Sequence, residues 1–148
     1  MPSIMTEDSF TDFALPSGLL RAIEELGFEQ CTPIQSETLP YSLADYDVTG
    51  QAQTGTGKTA AFLITILTQQ YEFPLERPNP VGSPRALILA PTRELALQIE
   101  TDAQDLTKHL DTRTIAVVGG IDYAKQQDRL RSANTDLLVA TPGRLIDF

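Results

Sequence analysis

With 148 residues, 41% of them apolar, the chain has enough material for one domain with a real core, and a single cysteine excludes a disulfide framework. His109 is the sole histidine, so no metal cluster can be assembled; no apolar run reaches the roughly 18 residues of a membrane span, and the N-terminus lacks a signal peptide's basic start and apolar stretch. A reducing, cytoplasmic setting is expected, and the net charge of -9 argues against a basic nucleic-acid-binding module while leaving room for a local positive strip.

Leu19, Leu20, Ile23 and Leu26 recur at helical spacing and predict a helix over Ser17 to Leu26. Thr32 suits an N-cap and Pro33 a first helical position, which predicts a second helix to Leu43. Tyr46 to Thr49 reads as a short strand over Asp47 to Thr49, followed by a helix near Lys58 to Gln70. Pro74, Pro78, Pro80 and Pro84 make Phe73 to Pro84 a surface loop rather than a linker. Strands follow at Arg85 to Ala90, Thr114 to Val118 and Asp136 to Ala140, alternating with helices at Glu94 to Leu110 and Tyr123 to Ser132.

That alternation predicts an α/β fold, a doubly wound parallel sheet with right-handed crossovers. The continuous apolar run Ala86-Leu87-Ile88-Leu89 is what a strand covered on both faces requires. Loops at the carboxyl ends of such strands are where ligands bind, so one edge is expected to carry them all.

The most informative segment is Ala52-Gln53-Thr54-Gly55-Thr56-Gly57-Lys58-Thr59, a phosphate-binding loop between a strand and a helix. Gly55 and Gly57 allow a sharp turn whose N–H groups face phosphate oxygens, and the helix N-terminus favours anions. Lys58 would reach the β- and γ-phosphates, and the Thr59 hydroxyl would take one position on Mg²⁺. Ala52 stands where the strict pattern has Gly, a place that needs only a small residue. Gln35, just after Thr32 and Pro33, carries an amide that matches the donor and acceptor on the edge of adenine; an ordinary polar helix residue is the other reading.

With those residues in view, the chain resembles the DEAD-box RNA helicases. Gly27-Phe28-Glu29-Gln30-Cys31-Thr32-Pro33-Ile34-Gln35 is similar to the Q motif, and Ala52 to Thr59 to motif I. Pro91-Thr92-Arg93-Glu94-Leu95-Ala96 is similar to motif Ia, Gly119-Gly120 to the GG element, and Thr141-Pro142-Gly143-Arg144 to motif Ib. Cys31 replaces the commoner Pro of the Q motif, as in bacterial members of the type associated with the RNA degradosome, which makes RNA-degradation machinery a possible partner; Cys31 itself is expected to be a small buried residue.

The resemblance implies a RecA-like P-loop NTPase fold, with residues 1–44 as a Q-motif helical region and 45–148 as part of the first helicase domain. It implies ATP and Mg²⁺ as cofactors and RNA, as a single strand or short duplex, as partner. Phe10 would stack on adenine and Gln35 would read it, while residues 52–59 hold the phosphates, Lys58 and Thr59 being the catalytic members present. Pro91, Thr92 and Arg93, Gly119 and Gly120, and Thr141 to Arg144 would hold the RNA backbone, Arg93 and Arg144 as a positive strip. The expected activity is ATP-dependent local unwinding of RNA duplexes.

The family's Asp-Glu-Ala-Asp and Ser-Ala-Thr segments and its second domain are not among these 148 residues, so they are expected to be inactive alone and to leave the middle of the sheet open. A nonenzymatic, truncated binder of nucleotide or RNA is the main rival. A phosphate-loop ATPase that moves protein is the other, and it leaves the Q, PTREL, GG and TPGR series unexplained.

Overall fold

A computed structural model of the protein describes residues 6–52, 57–77 and 80–148. The chain divides into two compact units. The first runs to Pro74 and takes in Asp105–Leu110; the second comprises Leu75–Gln104 and Asp111–Phe148.

The first unit is helical. A 3-10 turn at Phe10–Asp12 precedes helices α1 (Ser17–Glu25), α2 (Pro33–Ser42) and α3 (Lys58–Glu72). Ser9 opens the turn with a capping box, and Thr6 and Cys31 exchange backbone bonds with the segment across from them (Thr6 N–H to Cys31 O, Cys31 N–H to Asp8 O, both 2.8 Å). Leu19 and Ile23 of α1, Leu39 of α2, and Leu63, Ile64 and Leu67 of α3 are buried together with Cys31. Polar ties reinforce α2 against α3: the hydroxyls of Ser42 and Thr65 lie 2.6 Å apart, and Gln69 Nε2 donates to Ser42 O and Asp45 Oδ1. Glu25, at the end of α1, meets His109 at 2.8 Å and lies near Lys108 and Arg21. The His109 hydrogen bond, helped by those charges, holds its carboxyl below the usual range.

The second unit is a parallel sheet of β1 (Ala86–Leu89), β2 (Thr114–Val117) and β3 (Leu137–Ala140), with α4 (Arg93–Leu106), α5 (Tyr123–Ser132) and a short α6 (Pro142–Asp147) between and after the strands. The order is β1-β3-β2, with Leu89 and Val117 both in register with Ala140. β3 is central and wholly buried, as is β2, and Ile115, Val117, Leu130, Leu138 and Ala140 form a core against which Leu145 packs. Glu100 Oε2 accepts the Ala116 N–H at 2.8 Å, so a helix side chain covers part of the outer edge of β2. Arg113 binds the end of α5 through the Arg129, Ala133 and Asn134 carbonyls.

Three expectations are corrected. Asp47–Thr49 forms no strand: a strand exists only by pairing, and residues 46–50 join no strand ladder among the described residues, leaving Tyr46 and Val48 exposed. The phosphate loop therefore follows a segment without regular secondary structure and not a strand. Nor is β1 covered on both faces. Ile88 is buried, but Leu87 and Leu89, which share the opposite face by the strand's alternation, are 47% and 55% exposed because β1 is an edge strand with one apolar face uncovered. Helix α4 also stops short of the expected Leu110, giving way after Leu106 to a turn closed by Leu110 N–H to Thr107 O. Among the described residues no helix is long and apolar enough to cross a membrane.

Candidate functional site

The first unit brings Thr32, Gln35, Gly57 and Lys58 together. Thr32 precedes α2, and its N–H is taken by Gln35 Oε1 at 2.9 Å, one turn into the helix. The same amide donates through Nε2 to Gly57 O at 3.1 Å, across 22 residues. Gly57 has a φ of 82°, which favours glycine, and a Cβ there would fall within 3.1 Å of both the Gln35 amide and the Thr32 hydroxyl. That hydroxyl is buried and has no hydrogen-bond partner among the described residues.

Gly57 is also the cap of α3, whose first turn has no side-chain cap among the described residues. A helix of this length with free leading N–H groups favours an anion. Lys58, the first helical residue, is exposed and rests its Nζ on Ala52 O at 3.1 Å; Thr59 is half-buried. Gln53, Thr54, Gly55 and Thr56 lie outside the described residues. Phe10 sits in the 3-10 turn with 2% exposure, so its ring has no open face in this state, whereas stacking on a base needs one. A group of three or more His, Cys, Asp or Glu residues able to hold a metal is absent among the described residues.

Cys31 is fully buried beside these residues in sequence. Burial first, then the carboxylates of Asp8 and Asp12, push its thiol up to about 11. It is a core residue.

In the second unit the three strands run parallel, so the segments leaving their carboxyl ends emerge along one edge of the sheet. β1 leads to Pro91, Thr92 and Arg93, β2 to Gly119 and Gly120, and β3 to Thr141, Pro142, Gly143 and Arg144. Ala90 N–H to Ala140 O (3.0 Å) and Thr141 N–H to Val117 O (3.2 Å) carry the register into the loops. Thr92 Oγ1 accepts from Leu95 N–H and starts α4. Arg93 is exposed and forms no ion pair among the described residues; its guanidinium lies against Gly120, whose φ of 81° and closeness to Arg93 (2.7 Å from an added Cβ) leave little room for a side chain. At Gly119 and Gly143 an added Cβ would meet nothing within 4 Å.

Arg144 is placed differently from Arg93. Its Nη1 donates to Ile121 O and to Gln126 Oε1, each at 3.0 Å, its guanidinium lies 5.6 Å from the Tyr123 ring centroid, and Asp147 is 3.8 Å away. Of the two arginines expected to form a positive strip, Arg93 has no ion pair among the described residues and Arg144 is committed within the fold. Gln126, which the sequence reading passed over, is 2% exposed and donates to Val118 O at 3.0 Å. Its signal is a polar side chain at the α5 position that shares a face with buried Leu130 four residues on.

Parallel α/β architecture and the glycine-lysine start of α3 define the class, a P-loop protein of RecA-like fold. Residues 32–148 match the DEAD/DEAH box helicase model, and the chain belongs to that family. It is 52% identical over 139 residues to an ATP-dependent RNA helicase RhlB of Pseudomonas putida, covering 94% of this chain and 35% of that protein. The RhlB helicase of Pseudomonas aeruginosa gives the same figures of 52%, 94% and 35%. That of Xanthomonas oryzae pv. oryzae is 48% identical over 144 residues, 97% of this chain and 25% of the relative. The chain therefore spans a quarter to about a third of the curated relatives it matches.

Proposed function

We propose that this chain is the nucleotide- and RNA-binding part of an ATP-dependent RNA helicase that separates short duplexes locally, with ATP and Mg²⁺ as cofactors. The observation that carries the reading is the gathering of the Pro91, Gly119 and Thr141 segments at one sheet edge, with Gly119 and Gly143 where the protein's own packing has no need of glycine. Glycine there suits a sugar-phosphate backbone that comes close to the main chain. The Arg93 guanidinium adds the positive charge.

The start of α3, without a side-chain cap among the described residues, and the buried Thr32 hydroxyl beside Gly57, with no hydrogen-bond partner among them, fit a nucleotide. Residues 52–59 would hold its phosphates, with Lys58 offsetting their charge and Thr59 taking a place on Mg²⁺. When bound beside Thr59, the ion would neutralise phosphate charge. Gln35 would join the base side of the site to the phosphate side through its bond to Gly57, and Phe10 would serve adenine once its ring is uncovered. ATP promotes strand separation only insofar as it favours the state that holds RNA more tightly. A cytoplasmic setting, contact with RNA-degradation machinery, and a boundary between a Q-motif region (1–44) and the RecA-like part (45–148) belong to the same reading.

The test is RNA-stimulated ATP hydrolysis by the protein at its native length, with Lys58→Ala and Arg93→Glu beside it. Stimulation lost in Lys58→Ala, and shifted to higher RNA concentration in Arg93→Glu, supports the proposal. An unstimulated protein that still binds nucleotide would favour the nonenzymatic binder.

A further inference from the structure

We infer that Gln126 is a positioning residue for RNA, fixing the Gly119-Gly120 turn by holding it from both sides together with Arg144; the inference rests on the RNA-surface reading above. The turn is bounded by Val118 and Ile121. Val118 O accepts from Gln126 Nε2, Ile121 O accepts from Arg144 Nη1, and the two side chains are joined by Arg144 Nη1 to Gln126 Oε1, all at 3.0 Å. Carbonyls on either side of the glycine pair are thus closed into one hydrogen-bonded ring of side chains.

The two residues reach the turn from different elements. Gln126 lies on α5 and Arg144 on α6, so the ring links the loop after β2 to the Thr141–Arg144 segment after β3. Its inner member is shielded, since Gln126 is 2% exposed and the Arg144 side chain 14%. Shielded hydrogen bonds hold geometry better than exposed ones, because water does not compete for them. Gly119 and Gly120 are themselves exposed, and among the described residues their N–H groups donate to no protein group. Free main-chain donors on a turn fixed at both ends form a ready anion site, whereas the same turn unfixed would have to be ordered by the RNA at a cost in affinity.

The test compares Gln126→Met, Gln126→Glu, Arg144→Met and the Gln126→Met/Arg144→Met double variant in the native-length helicase, with Arg93→Glu as the control on the reading. The readouts are the RNA concentration for half-maximal ATPase stimulation, the turnover at saturating RNA, and Tm. Gln126→Met is expected to raise the half-saturating RNA concentration about fivefold, the factor of one lost buried hydrogen bond, with saturating turnover changed less than about twofold. Gln126→Glu keeps an acceptor for Arg144 but turns its other oxygen toward Val118 O, so its RNA response should be impaired at least as much as that of Gln126→Met. The double variant should be no worse than the more affected single one, because the pair acts as a unit.

An unchanged half-saturation in Gln126→Met, with Arg93→Glu impaired, overturns the inference and leaves the RNA surface standing. The same holds if turnover and RNA response fall together with Tm, as for a residue needed only for folding. Should Gln126→Met not fold, Gln126→Glu and Arg144→Met carry the comparison. An Arg93→Glu protein with normal RNA response removes the surface reading and the inference with it.

Discussion

The Gln35 side-chain amide donates to the Gly57 main-chain carbonyl at 3.1 Å while accepting from Thr32 N–H at 2.9 Å, so one residue ties the start of α2 to the cap of α3. Only one of its amide hydrogens is left for a base. Gln35→Glu keeps the Thr32 bond but turns an oxygen toward the Gly57 oxygen. We expect ATP and ADP affinity to fall about tenfold, a loss of the size of one charge-opposed contact. Titration with a fluorescent adenine nucleotide checks this, and undiminished affinity would remove the link.

Gly57→Ala strains the same joint from the other side. Its φ of 82° and the Gln35 amide nitrogen, against which an added Cβ would press, both oppose the methyl group. Destabilisation of about 1–2 kcal/mol is expected in a urea melt, accompanied by weaker nucleotide binding.

Lys58 separates function from stability. It is exposed and touches only Ala52 O among the described residues, so Lys58→Ala should change unfolding free energy by no more than about 0.5 kcal/mol. Nucleotide binding should nonetheless be lost, since the charge facing the phosphates is gone. A Tm loss as large as that of Gly57→Ala would mean the lysine is structural.

Arg93 and Arg144 should behave differently despite equal charge. Arg93→Glu removes an exposed cation with no ion pair among the described residues, which predicts weaker single-stranded RNA binding, a salt slope smaller by about 0.7, and an unchanged Tm. Arg144→Met strips the Ile121 carbonyl and Gln126 of a shielded donor, so its Tm should fall as well, by the equivalent of about 1–3 kcal/mol. Equal Tm values for the two variants would contradict the structure.

Cys31 gives a pH-dependent check. Its folded thiol titrates near 11 against an ordinary 9.0, so between those values the unfolded chain loses the proton first. Stability from this group is therefore complete below pH 9.0 and is lost as pH rises toward 11. Urea melts across that window should show a decline that Cys31→Ala lacks.

Much of the fold was legible because its signals are local. Thr32-Pro33 and the Lys58 start mark helices by capping chemistry, and β2 and β3 are apolar runs that two covered faces demand. Asp47–Thr49 misled because pairing is non-local: alternation can suggest a strand but cannot supply its partner. Leu87 and Leu89 misled in the same way, since an apolar run does not say which face finds a cover. At the site, glycines announced themselves through backbone demands, whereas the roles of Gln126 and Arg144 depend on carbonyls at Val118 and Ile121 that no side-chain motif encodes. The burial of Phe10 likewise comes from how the segment before α1 folds back, which its own spacing does not state.

Because Cys31 is fully buried, these 148 residues offer a nearly blank background for selective chemical tagging. A cysteine introduced at an exposed place such as Glu29 or Ile146 would take a maleimide dye while the native thiol stayed silent. Light emission from such a probe could then follow nucleotide or RNA arrival in real time, with the original core residue left where it is.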